Sequence, residues 1–317
     1  IEPYRSAFKE AQKRFAELGY QILIGPNCYE GSGIGISNLP KLCAEEFETF
    51  YCSDKNDVLI SCGGGELMCE ILGDIDFDRI KSAKPKWFQG YSDNTNLTYL
   101  LTTICDTASL YGLGAPAFGM RPWHQSQKDS LAVLTGKQDE VCGYPMWEIT
   151  SNKDEEHPYE PYHLTQKKTL VKYPDEQVLS FEGRLIGGCM DCLGKLIGTR
   201  FDCTKSFIDN YQTDGFIWFL EACDLNVMDL RRTLWQMDQA GWFSHVKGFL
   251  IGRPLHYNEP MFGLDQYEAV MGVLRKYRVP VIMDADLGHL PPMMPLICGA
   301  KAHVTADDNI RIKYEFS

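Results

Sequence analysis

The sequence of 317 residues lacks an uninterrupted apolar run of the roughly 18–20 residues that a membrane-spanning helix needs. Its longest apolar region, 97–119, is broken by Asp106 and by many hydroxyl-bearing residues and glycines. No basic region followed by an apolar stretch opens the sequence, so we expect no secretory signal in it. These absences predict a protein that does not enter a membrane.

Positive charge is also scarce. The chain has 31 Lys and Arg against 43 Asp and Glu, which gives a net charge of −12. A polyanion would have to bind against this overall field, so we expect no nucleic-acid partner. The contents of 28 Gly and 16 Pro are ordinary and exclude collagen-like and low-complexity chains, and the absence of a fixed repeat excludes solenoids and propellers.

Signatures of metal and cofactor binding are missing as well. The twelve cysteines are scattered through apolar stretches, which is typical of a reducing compartment, and we therefore expect a cytoplasmic protein. Cys189 and Cys192 form a CxxC, but a second such pair, which a four-thiolate zinc site needs, is absent. The loop 31–35 (GSGIG) lacks the Lys-Ser/Thr of a P-loop, and no GxGxxG has the context of a dinucleotide site. We expect neither a metal nor a cofactor.

Helical and strand patterns alternate in the first part of the chain. Apolar residues spaced at three and four positions from Tyr4 to Leu18 predict a helix that ends at Gly19. Strands are predicted at 21–25, 57–62 and 87–89, and helices at 42–50, 66–72 and 94–107. This alternation predicts an α/β domain with a doubly wound parallel sheet, over residues 1–120.

The rest of the chain divides into two regions. Residues 121–180 are rich in charges, prolines and aromatics and have weak periodicity, so we interpret them as an interdomain connection with a long substrate loop. Residues 181–317 are predicted to form a second, smaller α/β domain. Its predicted strands are 216–220, 248–251 and 280–284, and its predicted helices are 227–240 and 264–276.

A serine follows one of the predicted strands at a sharp turn. The strand ends at Gly90, Ser92 comes next, and a helical pattern begins at Asn94. Such a strand-to-helix turn exposes a hydroxyl at the carboxyl end of a sheet. The GxSxG pattern of hydrolases is only half satisfied, because Asn94 occupies the place of its second glycine. An ordinary helix N-cap is therefore an open alternative for Ser92.

The segment 85–95 (PKWFQGYSDNT) resembles the nucleophile segment of the LD-carboxypeptidase family of serine peptidases. Further segments agree in order with the family: Gly64 and Gly65, 75–78 (IDFD), 185–188 (LIGG), 196–199 (LIGT), 219–221 (FLE) and 287–289 (LGH). The resemblance covers most of the chain. It implies a flavodoxin-like N-terminal domain, a smaller C-terminal α/β domain and a homodimer.

The resemblance also implies a catalytic triad. Ser92 would be the nucleophile, Glu221 the orienting acid and His289 the general base. A serine hydroxyl is a poor nucleophile, so an imidazole must take its proton, and a carboxylate must hold that imidazole. Two alternatives stay open: Glu221 as a solvated glutamate at a helix start, and His124 as a reserve base.

An oxyanion hole needs backbone donors about 3 Å from the developing charge. We expect these to be the N–H of Asp93, directly after the nucleophile, and that of Gly64 or Gly65, since glycine permits close backbone approach. The alternative is a tight turn that binds no ligand.

Three departures from the family pattern affect the substrate and the fold. Gly63 stands where several relatives carry Arg before the paired glycines, and Cys189 replaces the Asn that follows Gly188. No strand precedes the first helix, which predicts a gap or an exposed edge in the sheet near 57–59.

The segment 143–180 carries three aromatic residues that are candidates for substrate binding: Trp147, Tyr159 and Tyr162. Its length resembles the microcin-C immunity branch of the family, and the aromatic rings could stack on a base there. They could equally pack against the domain interface.

The sequence therefore predicts a serine carboxypeptidase that releases terminal D-alanine from muramoyl-tetrapeptide, during cell-wall recycling, through an acyl-enzyme on Ser92. One alternative is a microcin-C immunity-type peptidase that cleaves peptidyl or aminoacyl nucleotides with the same three residues. Another, from a different class, is a non-catalytic protein that binds muropeptides.

Overall fold

A computed structural model describes residues 4–316, which form β-sheets of four, eight and two strands with helices packed on them. The helices are α1 Tyr4–Glu17, α2 Pro40–Tyr51, α3 Phe77–Ser82, α4 Thr95–Thr103, α5 Gln125–Leu134, α6 Met190–Leu196, α7 Thr204–Asn210, α8 Val227–Gln239 and α9 Gln266–Leu274. The strands are β1 Val58–Ile60, β2 Trp87–Gly90, β3 Ser109–Tyr111, β4 Glu140–Cys142, β5 Met146–Trp147, β6 Gln166–Lys167, β7 Val171–Tyr173, β8 Leu179–Cys189, β9 Phe216–Glu221, β10 Val246–Gly252, β11 Val281–Ala285, β12 Leu296–Cys298, β13 Lys301–Ala306 and β14 Ile310–Glu315. Short 3₁₀ helices cover Met68–Asp74, Ser92–Asn94, Ala115–Gly119 and Arg275–Tyr277.

The first sheet has the strand order β1-β2-β3-β12. Strands β1, β2 and β3 are parallel, as the alternation of helix and strand predicts, whereas β12 is antiparallel to β3. Because β12 lies close to the C-terminus in sequence, the two halves of the chain are joined within one sheet.

The second sheet has the order β4-β14-β13-β8-β9-β10-β11-β7. Its centre, from β8 to β11, is parallel. Every residue of β9 is buried, as expected for a parallel strand covered on both faces. The predicted α/β architecture is confirmed, and Glu221 is the last residue of this central strand.

The segment 121–180, predicted to be a connection and loop, has regular structure of its own. It contains α5 and four strands, of which β4 pairs with β14 and β7 pairs with β11 at the two edges of the second sheet. Each of these strands has only two or three residues, which is too short for an alternating pattern to be recognised. The domain boundaries at 120 and 180 stay predictions.

The predicted strand at 21–25 is wrong. These residues form no strand, and Leu23 and Ile24 are 51% and 39% exposed. An apolar run becomes a strand only when a neighbouring strand pairs with it. Among residues 4–316, β1 pairs only with β2, so it is an edge strand of the first sheet.

Helix α4 fastens the two sheets together. It begins three residues after Ser92, all nine of its residues are buried, and it packs against both β3 and β8. The ring of Tyr99 in this helix stacks on Trp242 at 5.5 Å, and Trp242 stacks on Trp218 of β9 at 5.8 Å. The elbow that carries Ser92 and the strand that carries Glu221 therefore belong to one packed core.

We predict that Gly187→Ala destabilises the protein by about 3 kcal/mol or more, from backbone strain together with overpacking. Gly187 has φ +150°, and an added Cβ would overlap the carbonyl oxygen of Phe219 on β9. Urea unfolding would measure the change. The matched control is Gly31→Ala, where an exposed glycine has no atom within 4 Å of the added Cβ. Equal stability of the two variants would contradict the close approach of β8 and β9.

Candidate active site

Ser92, His289 and Glu221 form one hydrogen-bonded chain. The Oγ of Ser92 lies 2.9 Å from Nε2 of His289, and Nδ1 of His289 lies 2.9 Å from Oε2 of Glu221. Ser92 follows β2, Glu221 ends β9, and His289 lies in the loop between β11 and β12. The fold thus brings together three residues that are up to 197 positions apart in sequence.

The backbone at Ser92 has the geometry of a nucleophile elbow. Its φ of +62° is a left-handed conformation that non-glycine residues rarely adopt, and such strain is characteristic of functional turns. The side-chain amide of Asn94 donates hydrogen bonds to the carbonyl oxygen of Gly63, at 2.8 Å, and to that of Tyr91, at 3.0 Å. An added Cβ at Gly90 would lie 2.7 Å from Asn94. Asn94 therefore replaces the second glycine of GxSxG and ties the Gly63 turn to the elbow.

Glu221 is completely buried, so it is not the solvated glutamate that the sequence left open. Its second carboxylate oxygen, Oε1, accepts a hydrogen bond of 2.5 Å from the hydroxyl of Tyr111. Burial alone would raise the pKa of Glu221. The charge of His289 and the hydrogen bonds from His289 and Tyr111 outweigh burial and hold this pKa below its usual value.

The loop of His289 is anchored by a buried charge. Asp286, which is fully buried, accepts hydrogen bonds from the guanidinium of Arg253 at 2.6 Å and from the backbone N–H of Tyr144 at 2.7 Å. The His289 ring packs at 5.3 Å from the ring of Tyr91. Sequence reasoning missed Asp286 and Arg253, although an acid three residues before the predicted base is visible in the sequence.

The pKa of His289 reflects two opposing effects. Burial alone would lower it, but the negative charge of Glu221 and hydrogen bonds to Cys223 and Glu221 raise it above its ordinary value. The dominant contact is with a buried carboxylate, since Nδ1 of the imidazole lies 2.9 Å from Oε2 of Glu221.

We predict that kcat/KM rises with pH along a limb that lies above the ordinary histidine pKa of about 6.5. A raised pKa keeps the imidazole protonated to higher pH, and only the neutral imidazole can accept the serine proton. Stability follows a different pH dependence. The ion pair between His289 and Glu221 stabilises the fold fully only between their ordinary pKa values, from about pH 4.5 to about pH 6.5. This contribution is lost as the pH rises through the raised pKa of His289 or falls through the lowered pKa of Glu221. A pH profile of kcat/KM measures the limb, and a limb well below 6.5 would contradict the account.

The paired glycines lie beside the nucleophile. An added Cβ at Gly64 would be 3.5 Å from the Oγ of Ser92, and one at Gly65 would be 2.5 Å from the carbonyl oxygen of Gly35. The carboxylate of Asp93 has a structural partner, since it accepts a hydrogen bond from the backbone N–H of Met68 at 2.7 Å. The backbone of Gly64 thus lies close to the Ser92 hydroxyl, and Asp93 follows Ser92 directly in the sequence.

The three aromatic residues of the 143–180 segment differ in their surroundings. Trp147 is 5% exposed, with the guanidinium of Arg253 4.8 Å from its ring centre. Tyr159 and Tyr162 are half-buried, and the guanidinium of Arg121 lies 5.0 Å from the ring of Tyr159. Trp147 therefore packs within the protein and has little surface left for a ligand.

His124, the reserve base, caps a helix instead. Its Nδ1 accepts the backbone N–H of Ser126 at the start of α5, at 3.1 Å. The ring of Tyr162 packs against it at 5.4 Å. This local partner gives His124 an ordinary structural role.

The two cysteines of the CxxC motif, Cys189 and Cys192, lie next to residues of the site. The thiol of Cys189 lies 3.3 Å from the carboxylate of Asp191, and the thiol of Cys192 lies 3.7 Å from the carbonyl oxygen of Ser92. In the part of the chain that the structure describes, no group of three or more His, Cys, Asp or Glu side chains is placed to hold a metal ion.

A serine hydroxyl, an imidazole and a carboxylate joined in this order, at strand ends of an α/β fold, are the arrangement of a serine-type hydrolase. The sequence agrees with this class. Residues 1–112 match the model of the LD-carboxypeptidase N-terminal domain, and residues 182–304 match that of the LD-carboxypeptidase C-terminal domain. The chain belongs to the LD-carboxypeptidase family, whose members are serine-type peptidases.

Two proteins of similar sequence are described as a probable and a putative carboxypeptidase. A probable murein peptide carboxypeptidase of Bacillus subtilis is 25% identical over 294 residues, which cover 90% of this chain and 80% of that protein. A putative carboxypeptidase of Vibrio cholerae is 23% identical over 252 residues, which cover 78% of this chain and 71% of that protein.

Solved structures share the fold over nearly the whole chain. An MccF-like protein from Bacillus anthracis has a TM-score of 0.79 at 24% identity, covering 98% of this chain and 92% of that one. The microcin C7 self-immunity protein MccF in complex with aspartyl sulfamoyl adenosine has a TM-score of 0.80 at 23% identity, covering 99% and 92%. An MccF-like protein from Streptococcus pneumoniae in complex with AMP has a TM-score of 0.80 at 20% identity, covering 100% and 95%.

Proposed function

We propose that this protein is a serine carboxypeptidase whose catalytic triad is Ser92, His289 and Glu221. The observation that carries the proposal is the hydrogen-bonded chain from the Ser92 hydroxyl through His289 to a buried carboxylate. Each hydrogen bond has the length that proton transfer and ring orientation require. The left-handed backbone at Ser92 further supports a functional turn.

In the proposed reaction, Oγ of Ser92 attacks the carbonyl carbon of the scissile amide while Nε2 of His289 takes the hydroxyl proton. The C–N bond then breaks, and the leaving amine receives that proton. Water attacks the resulting ester, again with His289 as base, and releases the carboxylate product and free Ser92. Glu221 accepts the Nδ1–H of His289 throughout and stabilises the imidazolium.

The oxyanion of both tetrahedral intermediates needs backbone donors. We propose the N–H groups of Asp93 and of Gly64 or Gly65. The closeness of the Gly64 backbone to the hydroxyl supports this, since a Cβ built on Gly64 would lie 3.5 Å from the Ser92 Oγ, within van der Waals contact.

The proposed substrate is muramoyl-tetrapeptide, cleaved at its L,D-peptide bond to release terminal D-alanine in cell-wall recycling. The family and the murein peptide carboxypeptidase relative support this choice. All twelve cysteines are free thiols, which supports a reducing cytoplasm. Within residues 4–316 no helix is long and apolar enough to cross a bilayer. A homodimer is proposed from the family alone.

The second candidate is a microcin-C immunity-type peptidase that cleaves peptidyl or aminoacyl nucleotides. It is favoured by the fold shared with MccF proteins, which bind AMP and aspartyl sulfamoyl adenosine. Because Trp147 is buried, stacking on a base would fall to Tyr159 or Tyr162, which are half-buried.

A substrate panel tests the proposal. Wild-type protein and Ser92→Ala are incubated with muramoyl-tetrapeptide and with an aminoacyl-nucleotide peptide, and the released products are identified by mass spectrometry. Serine-dependent release of D-alanine supports the carboxypeptidase, and cleavage of the nucleotide substrate alone supports the second candidate. Turnover of neither would contradict both peptidase candidates and would favour the non-catalytic muropeptide-binding alternative.

A further inference from the structure

Tyr111 lies where the two sheets meet, between the nucleophile and the acid. It is the last residue of β3, in register with Gly90 of the neighbouring strand β2, two residues before Ser92. Its side chain is fully buried, and its ring packs at 5.5 Å from Phe219, two residues before Glu221 on β9. Tyr111 thus contacts both elements that carry the ends of the proposed triad.

The Tyr111 hydroxyl makes one hydrogen bond to each of these elements. It accepts the backbone N–H of Ser92 at 3.1 Å and donates to Oε1 of Glu221 at 2.5 Å. The phenol proton is thereby used in the hydrogen bond to the carboxylate, and a lone pair of the phenol oxygen accepts the N–H of the strained elbow. With Oε2 bound to His289, both oxygens of Glu221 have fixed partners.

We propose that Tyr111 is a positioning residue, which holds the Glu221 carboxylate in its orientation toward His289 and the Ser92 elbow in its left-handed conformation. This inference rests on the triad proposed above. Tyr111 touches no reacting atom; it acts through Glu221 and the backbone of Ser92.

The protonation state of Tyr111 suits this role. Burial, together with the negative charge of Glu221, raises the pKa of Tyr111 well above its usual value. The hydroxyl therefore remains protonated, and a donor, up to at least the ordinary tyrosine pKa of about 10. The donated hydrogen bond stabilises the charged form of Glu221 and competes with His289 for the carboxylate's negative charge.

Tyr111→Phe removes the hydroxyl and keeps the ring. We expect kcat to fall about 10- to 100-fold, which is the range for losing a hydrogen bond to a charged group, while KM changes by less than about threefold. The Nδ1–H proton of His289, followed by NMR, should move downfield, because a carboxylate without its tyrosine donor accepts more strongly from the imidazole. Packing alone predicts no such shift.

The matched control is Tyr99→Phe, which removes another fully buried hydroxyl, whose hydrogen-bond partner at 2.8 Å is Thr204 and not a residue of the triad. We expect wild-type kcat and an unmoved Nδ1–H resonance. Site-specific 3-fluorotyrosine at position 111 keeps the hydroxyl and strengthens it as a donor, so the resonance should move upfield. This second variant keeps the test decisive should Tyr111→Phe fail to fold.

An Nδ1–H resonance that is unchanged by both replacements at position 111 would overturn the inference, as would a loss of kcat without any shift in Tyr111→Phe. The NMR readout needs no substrate. Full activity of Ser92→Ala would instead refute the proposed triad. The shift of the His289 Nδ1–H resonance in the Tyr111 variants would still test whether Tyr111 positions Glu221.

Discussion

Ser92→Ala is expected to lower kcat about 10⁶-fold, as loss of the nucleophile does in other serine peptidases. The hydroxyl is the atom that attacks the amide carbon, and the oxyanion donors alone supply only a small part of the rate. Its Oγ is hydrogen-bonded to His289 at 2.9 Å, and no cap role in the following helix competes for it. The effect is measured by comparing the rates at which wild-type protein and Ser92→Ala release product from the substrate that the wild type cleaves.

The matched control for this substitution is Ser82→Ala at the end of α3. The hydroxyl of Ser82 donates to the backbone carbonyl oxygen of Asp78, within its own helix, at an exposed position. We expect unchanged kcat and a stability change within about 0.5 kcal/mol. Retention of more than about a hundredth of wild-type kcat by Ser92→Ala would refute Ser92 as the nucleophile.

Glu221→Gln is expected to lower kcat about 10³- to 10⁴-fold. The amide is nearly isosteric with the carboxylate but carries no negative charge, so it neither fixes the imidazole tautomer nor stabilises the imidazolium. The acid limb of the pH profile, along which kcat/KM rises with pH, should also move to lower pH. Burial lowers the pKa of His289, and in this variant the charge that outweighs burial is gone.

Glu182→Gln is the control for the loss of a negative charge. Glu182 is exposed on β8 and should tolerate the change with wild-type kcat and an unmoved acid limb. An acid limb that stays in place in Glu221→Gln would show that Glu221 does not set the pKa of His289, whatever happens to kcat.

The long elements could be predicted from the sequence because each carries its own signal. Strand β9 is apolar up to its last residue, Glu221. Helix α8 follows the N-cap residue Asn226, whose side chain accepts hydrogen bonds from the backbone N–H groups of Met228 and Asp229. The strands of two or three residues within 121–180 could not be predicted, because their pairing determines them. Strand β4 pairs with distant β14, β7 pairs with distant β11, and β5 and β6 pair with each other.

Some residues of the site could likewise be predicted from the sequence, and others could not. Ser92, Glu221 and His289 stand in short recognisable segments, and the structure brings all three together. Tyr111 stands in no such segment. Its position depends on the register of β3 against β2 and on the packing of β3 near β9, which are tertiary facts. The residues that hold a triad in place are thus harder to read from one sequence than the triad itself.

The central claim is that Ser92 forms an ester with the peptide, and single-turnover mass spectrometry tests it most directly. Enzyme in excess is mixed with muramoyl-tetrapeptide, quenched with acid over a range of times, and digested. We predict an adduct with the mass of the substrate less D-alanine on the peptide that contains Ser92, rising as D-alanine appears. Release of D-alanine with the adduct on another residue, or with none on Ser92 at any time, would contradict the claim.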